Sequence, residues 1–270
     1  MKKICVITGG GSGIGFAAAK VMGKDHDIII SGRTLEKLEE AVNELRSMGM
    51  EAQAFQCDVS VRESVEALAK HASEAGIIKS VIHAAGISPA IQDIRMILNV
   101  NAVGTIYVNE TFFSYMSDSS CLIDIASMAG YMLPNKILPV KKYTLSRADP
   151  ELFTNKMLKR VNLFPKKYRS GVAYGLSKNF VSWYAKTDAE KFSEKGIRVL
   201  SVSPGFIETP MGETVKEESR QLIEKSAVKR FGTPEEIAYL IRSLTDERLT
   251  YLTGTDILCD GGCIASTLNR

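Results

Sequence analysis

A glycine-rich turn joins a strand-like run to a helix-like run at the start of the chain. Lys3–Thr8 is short and apolar, residues 14–22 have the pattern of a helix, and glycine takes five of the seven positions 9–15. Glycine permits a tight turn and a close approach to phosphate, and the first N–H groups of a helix favour an anion. A flexible loop is the alternative. We predict a pyrophosphate site for a dinucleotide, formed by Thr8, Gly9, Gly11, Ser12, Gly13, Ile14 and Gly15.

The alternation of strand-like and helix-like runs continues along the chain. The predicted strands are Lys3–Thr8, 27–31, 51–56, 80–83, Cys121–Ile125, 197–203 and 255–258. Ser88 and Pro89 predict the N-cap and first residue of the helix before the fifth strand. This alternation predicts an α/β fold, a Rossmann-type doubly wound parallel sheet of seven strands within a single domain, 1–270. Such sheets bind ligands at the carboxyl ends of their strands.

Several classes of protein are excluded by what the sequence lacks. The five cysteines are scattered and odd in number, and the three histidines have no ligand spacing, so neither a disulfide framework nor a metal site is expected. A net charge of +3 is too mild to indicate nucleic acid. Because the chain has neither an apolar run of membrane length nor a secretory signal, we expect a cytoplasmic protein without a membrane partner.

The end of the second strand bears on the choice of cofactor. Dinucleotide-binding folds that use NAD place an acidic residue there for the ribose 2′-hydroxyl, but this chain has Gly32 followed by Arg33. A guanidinium can hold a 2′-phosphate with two hydrogen bonds. The alternatives are an ordinary surface arginine and NAD(H). We therefore expect NADP(H), bound in part by Gly32 and Arg33.

Tyr174 and Lys178 are spaced to lie one turn apart on a single helix face. A free tyrosine has a pKa near 10, and a neighbouring ammonium is expected to lower that pKa and make the phenol a usable acid or base. Most pairs with this spacing are only surface neighbours, so the spacing alone does not identify a catalytic site.

Taken together, these motifs resemble those of the short-chain dehydrogenase/reductase family. The resemblance extends from residue 8 to residue 262, in the family's order. It rests on the turn at Thr8–Gly15, Asp58 and Val59, the run His83, Ala84, Ala85 and Gly86, then Asn101, Ser127, Tyr174 and Lys178, and finally Pro204, Gly205, Ile207, Thr209 and 260–262. It implies that Asp58 and Val59 contact adenine, that Ala84, Ala85 and Gly86 line the cofactor, and that Pro204, Gly205, Ile207 and Thr209 hold the nicotinamide.

The resemblance also implies a catalytic set. Ser127 would orient the substrate oxygen, Tyr174 would exchange a proton with that oxygen, and Lys178 would lower the pKa of the tyrosine and bind the nicotinamide ribose. Asn101 would hold a water that links the lysine to solvent. The cofactor would supply the hydride.

Two departures from the family pattern carry expectations of their own. His83 and Ala84 replace the usual asparagines, which bears on stability more than on activity. Residues 131–170, here called the basic segment, contain ten basic and two acidic residues and lengthen the connection between Ser127 and Tyr174. Asp149 and Pro150 predict the start of a helix inside this segment. The segment resembles the insertion of some carbonyl reductases and 3α-hydroxysteroid dehydrogenases. Contact between subunits, a lid over the cleft and contact with an anionic surface are the alternatives.

The expected function is NADP(H)-dependent interconversion of a ketone and a secondary alcohol. Apolar residues in the loop after the sixth strand (Phe206, Ile207, Met211, Val215 and Leu222) favour a hydroxysteroid or another bulky apolar carbonyl, and residues 213–225 are expected to form a mobile helix. A 3-oxoacyl thioester reductase is the second interpretation, and a non-catalytic dinucleotide sensor is a third. We expect a small-molecule substrate and a homodimer or homotetramer.

Overall fold

One parallel sheet runs through the computed structural model, which describes residues 2–213 and 216–268. The strands are β1 (Lys3–Thr8), β2 (Asp27–Gly32), β3 (Ala52–Gln56), β4 (Ile77–His83), β5 (Cys121–Ile125), β6 (Arg198–Pro204) and β7 (Asp256–Cys259). Their order across the sheet is β3-β2-β1-β4-β5-β6-β7. The predicted doubly wound, seven-stranded fold is therefore confirmed. Because the order reverses between β1 and β4, a crevice opens at the carboxyl ends of these two strands.

Helices cover both faces of the sheet. They are α1 (Gly13–Met22), α2 (Leu35–Ser47), α3 (Arg62–Ala75), α4 (Ile94–Leu98), α5 (Gly104–Tyr115), α6 (Ala129–Met132), α7 (Val140–Tyr143), α8 (Pro150–Val161), α9 (Arg169–Ser193), α10 (Pro210–Glu213), α11 (Lys216–Lys225), α12 (Pro234–Leu244) and α13 (Cys263–Leu268). A π-helical turn, Asn99–Val103, joins α4 to α5. In the described ranges, no helix is both long and apolar enough to span a membrane.

The prediction that Ser88 and Pro89 begin the fourth helix was wrong. The N-cap of α4 is Asp93, whose carboxylate accepts hydrogen bonds from the N–H groups of Arg95 and Met96. Ser88 instead accepts a hydrogen bond from the N–H of Ala90 in a local turn. The side chains of Ser88 and Asp93 are both able to cap a helix, and the local turn at Ser88 competes with helix formation.

The sheet separates two apolar cores. One core packs α1, α2 and α12 against side chains such as Ile7, Ile30 and Ile123. The other packs α3, α5 and α9 against side chains such as Val6 and Leu122. Alternate residues of each strand thus point to opposite cores, as expected for strands buried on both faces. The strand ends, where polar and glycine residues replace apolar ones, are left to form the crevice.

The basic segment folds back onto its own chain. Its main helix, α8, begins at Asp149, whose side chain accepts a hydrogen bond from the N–H of Leu152. The apolar stripe of α8 is buried, with Phe153 and Met157 packed against Phe180 and its neighbours on α9. The last two residues, 169 and 170, belong to α9 rather than to a separate element. The apolar side predicted from the sequence is therefore used within the chain, and lysines cover the outside.

An ion pair ties the basic segment to α9. Arg147 donates to the carboxylate of Asp188 at 2.5 Å and to the hydroxyl of Thr187 at 2.9 Å. The Asp188 side chain is 1% exposed, whereas that of Arg147 is 38% exposed. Its guanidinium also lies over the ring of Tyr184, 5.1 Å from the centroid. Burial raises the pKa of Asp188, and Arg147 opposes that rise.

Removing Arg147 should destabilise the fold by leaving a buried acid without its cation. We expect Arg147→Met to lower the free energy of unfolding by about 2 kcal/mol, measured by urea denaturation at pH 7. The double variant Arg147→Met/Asp188→Asn should recover most of that loss, because the buried charge is then removed as well. Equal losses in the single and double variants would contradict the ion-pair explanation.

Candidate active site

Predicted site residues from five regions of the chain meet at one cavity. The cavity has a volume of about 530 Å³ and lies where the carboxyl ends of β1, β4, β5 and β6 converge. The predicted residues that line it are Ser12, Gly13, Ile14, Gly15, Ala84, Gly86, Ser127, Tyr174, Lys178, Pro204, Gly205, Ile207 and Thr209. Residues far apart in sequence therefore share one space of the size that small ligands occupy in proteins.

The glycine turn has the geometry of a cradle. Gly9 and Gly13 have φ angles of +69° and +54°, which L-residues with side chains rarely adopt. A Cβ on Gly15 would lie 2.3 Å from the carbonyl oxygen of Gly9. Ser12 precedes α1 without a side-chain capping bond, so the first N–H groups of α1 are left for another acceptor. These features fit the phosphates of a dinucleotide.

The remaining predicted cofactor residues lie around this turn rather than in the cavity wall. Thr8, Gly9, Gly11, Gly32, Asp58, Val59 and Ala85 occupy or closely follow the carboxyl ends of β1 to β4. Arg33 follows β2, and its side chain is exposed. Asp58 accepts hydrogen bonds from the N–H and hydroxyl of Ser60. These predicted cofactor residues follow the strand ends from the glycine turn after β1 to the outer strand β3. The adenosine half of a dinucleotide could extend along them.

Asn101 sits in the π-helical turn behind the cavity and is 1% exposed. Its side-chain oxygen accepts from the N–H of Ile87 at 2.8 Å, and its amide donates to the Ile87 carbonyl and to the Ser177 hydroxyl. The widened turn thus points a polar side chain between the loop after β4 and helix α9. Asn101 holds these two elements in register close to Lys178.

Ser127, Tyr174 and Lys178 form the polar part of the cavity. Ser127 follows β5, and its side chain shares a hydrogen bond with Tyr174. Lys178, one turn further along α9, is 6% exposed and donates to the carbonyl of Ile125 at 2.7 Å. Its ammonium lies 5.9 Å from the centroid of the Tyr174 ring. The tyrosine and lysine are therefore on one helix face, as their spacing predicts.

The predicted effect of Lys178 on Tyr174 was wrong for the chain as described. Burial raises the pKa of Tyr174 above its usual value, and only the hydrogen bond from Ser127 opposes that rise. The lysine ammonium is directed to the Ile125 carbonyl instead of the phenol. Burial also lowers the pKa of Lys178 to about 8, which Asp124 opposes. At neutral pH the phenol is thus protonated, the state required of a proton donor.

His83 lies on β4 beneath the site and is 2% exposed. Its Nδ1 shares a hydrogen bond of 2.7 Å with the Thr8 hydroxyl, which also accepts from the N–H of Ala85. Burial and the charge of Lys178 lower the pKa of His83 to about 3. The imidazole is therefore neutral, and its hydrogen bond joins the end of β1 to β4, although the sequence predicted a loss of supporting hydrogen bonds at this position.

The apolar wall of the cavity includes residues that the sequence did not single out. Ile87 and Pro89 come from the loop after β4, Met132 and Leu133 come from the start of the basic segment, and Gly171 follows its end. These residues lie near each other because the chain folds back on itself between them. No local sequence pattern predicts that approach.

The predicted apolar loop contributes the opposite side of the wall. Phe206, Ile207, Met211 and Leu222 line the cavity, as expected from their composition. The segment predicted as one helix over 213–225 contains the end of α10 and all of α11. Val215 lies outside the described residues.

Charge is scarce in the cavity wall. Among the described lining residues, Lys178 is the one with a charged side chain. Across residues 2–213 and 216–268, no group of three or more His, Cys, Asp or Glu is arranged to hold a metal ion. The arrangement therefore consists of a hydroxyl, a phenol and an ammonium in an otherwise apolar space, next to a phosphate cradle.

Comparisons with known proteins cover nearly the whole chain. Residues 3–161 match the family described as short chain dehydrogenase, and residues 164–263 match the family described as Enoyl-(Acyl carrier protein) reductase. The chain is 28% identical to a 3-oxoacyl-[acyl-carrier-protein] reductase of Thermotoga maritima, covering 97% of this chain and 98% of that protein. It is 29% identical to carbonyl reductase family member 4 of Xenopus laevis, with the same two coverages.

A solved structure has the same fold. A short chain dehydrogenase from Burkholderia cenocepacia in complex with NADP aligns with a TM-score of 0.77 and 21% sequence identity, and 97% of each chain is covered. A likeness over nearly the whole of both chains shows that the two proteins share a fold.

The buried neutral His83 should make the protein sensitive to acid. Its pKa of about 3 in the fold lies below the ordinary value of 6.5, so the unfolded chain takes up the proton first as pH falls below 6.5. The contribution of neutral His83 to the free energy of unfolding is complete above pH 6.5 and is lost as the pH falls towards 3. From pH 7 to pH 5, His83 should account for a loss of about 2 kcal/mol in the free energy of unfolding.

The measurement is urea denaturation at both pH values. His83→Asn should lack this part of the acid sensitivity. His71→Asn, which changes a histidine on helix α3, should retain it. An unchanged pH dependence in His83→Asn would contradict the assignment.

Proposed function

The chain belongs to the short-chain dehydrogenase family and is a short-chain dehydrogenase/reductase enzyme, and from that premise we propose that it interconverts a ketone and a secondary alcohol with NADP(H). The observation that carries the proposal is the meeting of Ser127, Tyr174 and Lys178 in an apolar cavity beside the glycine turn. These three residues supply the hydrogen bonds and the proton that the reaction needs.

We propose cofactor residues from the family resemblance, and their positions in and around the cavity support the proposal. The turn from Thr8 to Gly15 would bind the pyrophosphate, Asp58 and Val59 the adenine end, and Ala84 to Gly86 the middle of the molecule. Pro204, Gly205, Ile207 and Thr209 would hold the nicotinamide against the cavity, and Lys178 would bind its ribose. The cofactor supplies the hydride, while the protein orients the reactants and handles the proton.

Proton transfer is assigned to the three polar side chains. Ser127 donates a hydrogen bond that fixes the substrate oxygen, and Tyr174 protonates that oxygen during reduction. Lys178 would stabilise the phenolate that is left once its ammonium turns from the Ile125 carbonyl towards the phenol, because a positive charge nearby favours the ionised form. Asn101 keeps the loop after β4 beside the lysine, where a water could return the proton from solvent. The raised pKa of Tyr174 favours reduction, since the phenol starts in its protonated form.

NADP(H) is the proposed cofactor because of the end of β2. Gly32 leaves no carboxylate to repel a 2′-phosphate, and the exposed Arg33 follows it directly. Thr34 precedes α2 without a side-chain capping bond, so the first N–H groups of that helix add a second source of attraction for an anion. NAD(H) is the alternative if Arg33 points away from the ribose.

The proposed substrate is a bulky, uncharged, apolar ketone such as a hydroxysteroid precursor. Its support is the wall of Ile87, Met132, Leu133, Phe206 and Leu222, which offers hydrophobic contact and no partner for a second charged group. A carboxylate or phosphate placed deep in this space would lose its hydration without compensation.

A 3-oxoacyl thioester is the second candidate substrate. The observation in its favour is that Met132 and Leu133, at the start of the basic segment, and Gly171, just after its end, line the cavity, so this cationic segment borders it. A long substrate with an anionic arm could keep its charge outside and its ketone inside. We propose a homodimer or homotetramer as the assembly, formed through surfaces other than the apolar stripe of α8, which is buried within the chain.

Replacing the phenol should abolish the reaction while leaving cofactor binding in place. We expect Tyr174→Phe to lower kcat for ketone reduction by about 10²–10⁴-fold, the usual contribution of general acid catalysis. The assay follows NADPH absorbance at 340 nm with a panel of steroid, aliphatic and thioester ketones, and NADPH binding is measured separately by fluorescence.

The control is Tyr168→Phe, an exposed tyrosine of the basic segment, which should not change the rate. Equal measurable rates for wild type and Tyr174→Phe would contradict the catalytic role of Tyr174, and no turnover of any ketone would support the non-catalytic sensor. A rate confined to thioester ketones would favour the second candidate substrate.

Arg33 should decide between the two cofactors. Arg33→Ala is expected to lose about 2 kcal/mol of preference for NADPH over NADH, because a charge-assisted hydrogen bond contributes about 1.5–3 kcal/mol. Dissociation constants for both cofactors, measured by calorimetry, provide the test. Arg248→Ala, which changes an exposed arginine far along the chain and paired with Asp246, should leave the preference unchanged. An unmoved preference in Arg33→Ala would contradict the assignment of NADP(H) to this residue.

A further inference from the structure

Asp124 is a fully buried acid that the proposed reaction does not use. It lies on β5, three residues before Ser127, and is 0% exposed. Its register partners are His83 on β4 and Ser201 on β6. Its neighbours on β5 are apolar, and an apolar residue would continue the pattern of the strand. A buried carboxyl group costs free energy unless its surroundings compensate for the lost hydration.

Only half of the Asp124 carboxyl group is compensated by a hydrogen bond. Asn109 on α5 donates to Oδ2 at 2.9 Å. No hydrogen-bond partner is found within the described chain for the other oxygen, Oδ1, nor for Nε2 of His83 on the adjacent strand. Buried polar atoms are normally hydrogen-bonded. Hydrogen bonding alone therefore does not explain why an acid occupies this position.

Lys178 supplies that reason. Its ammonium donates to the carbonyl of Ile125, the residue that follows Asp124 on β5. Asp124 is the acid whose charge favours the ammonium of Lys178, and Lys178 in turn favours the carboxylate of Asp124. Both side chains are cut off from bulk water, so their mutual attraction is weakly screened.

Asp124 is the acid that remains to balance the charge of Lys178 when the other charged or titratable groups near the pair are compared. They are His83 from β4, Tyr174, Tyr184 and Asp188 from α9, Glu110 from α5, and Arg147 from the basic segment. His83 is neutral. Asp188 pairs with Arg147 instead of the lysine, and Glu110 pairs with Arg62. Each remaining acid thus has a cation of its own.

We propose that Asp124 is a positioning residue that acts through Lys178: its ionised carboxylate keeps the lysine charged at a pH where a buried lysine alone would lose its proton. The proposal rests on the proposed function, because the charge on Lys178 matters to catalysis through Tyr174 and the cofactor ribose. It adds a residue that touches neither the substrate nor the cofactor.

The pKa values of Asp124 and Lys178 support the interaction between the two groups. Burial raises the pKa of Asp124 to about 8, and burial lowers that of Lys178 to about 8. Because these two pKa values are alike, the pair titrates as a unit near that pH. Above it, the carboxylate of Asp124 opposes loss of the proton from Lys178.

The first test reads the charge of Lys178 directly. Lysine labelled with ¹³C at Cε is incorporated into the full chain, and the Lys178 signal is assigned by its loss in Lys178→Met. We expect Asp124→Asn to lower the titration midpoint of Lys178 by about one pH unit or more, the low end of the effect of a nearby opposite charge. The amide has the shape of the acid and still offers an oxygen to Asn109, so this variant should fold.

Asp188→Asn is the matched control. It makes the same acid-to-amide change in another buried residue of this region, one paired with Arg147 rather than Lys178. It should lower stability and leave the Lys178 midpoint unchanged. Asn109→Ala is the second variant, which removes the donor to the carboxylate. It should move the midpoint in the same direction by a smaller amount, and it decides the question if Asp124→Asn does not fold.

The second test reads the consequence for catalysis. In ketone reduction, the alkaline limb of the pH profile of kcat should move to lower pH in Asp124→Asn by the same amount as the lysine midpoint. A purely structural role would lower kcat at all pH values without moving this limb. An unmoved Lys178 midpoint in Asp124→Asn, or a midpoint moved equally by Asp188→Asn, would overturn the proposal.

The two proposals fail separately. If the rate is the same in wild type and Tyr174→Phe, the proposed function fails, while the lysine titration still supports or overturns the role of Asp124 as a countercharge. If reduction depends on Tyr174 but the Lys178 midpoint stays in place in Asp124→Asn, only the inference about Asp124 fails.

Discussion

A positive charge held in an apolar interior is the constraint around which this site is arranged. Lys178 is almost fully buried, and its ammonium has a backbone carbonyl of β5 as its one direct hydrogen-bond acceptor in the described chain. Asn101 fixes the loop after β4 beside it, and Asp124 lies below it. Each of these contacts comes from a different element, so the charge depends on the sheet, the π-helical turn and α9 being assembled together. The catalytic geometry is thus a property of the whole fold.

The basic segment has two physical roles that its charge alone does not indicate. Its apolar stripe fills the outer surface of α9, and Arg147 reaches a buried acid on that helix, so the segment braces the element that carries Tyr174 and Lys178. Leu133, near its start, and Gly171, just after its end, also line the cavity. A position beside the cleft was one of the expected alternatives, whereas bracing of α9 was not predicted, and both rest on contacts within the chain. Neither requires a second subunit or an anionic surface.

Much of the fold could be predicted from local sequence, since β1 and β5 begin and end where their apolar runs do. The start of α4 could not, because Ser88 and Asp93 are both capable caps and the choice depends on the turn between them. The site residues also follow from motifs, but the pKa of Tyr174 does not. It depends on burial and on where the lysine ammonium points, and the Ile125 carbonyl that receives it is fifty-three positions away in sequence.

That misjudged pKa leads to a more specific view of the chemistry. A phenol with a raised pKa is protonated at neutral pH and so carries the proton that reduction requires, and the phenolate left after donation is the species that needs the ammonium. The lysine then matters most after the proton has moved, when its own charge must persist in a place that disfavours it. The buried carboxyl group of Asp124, which is not among the cavity-lining residues, is proposed to answer that requirement. The buried acid and the apolar cleft are therefore compatible parts of one site.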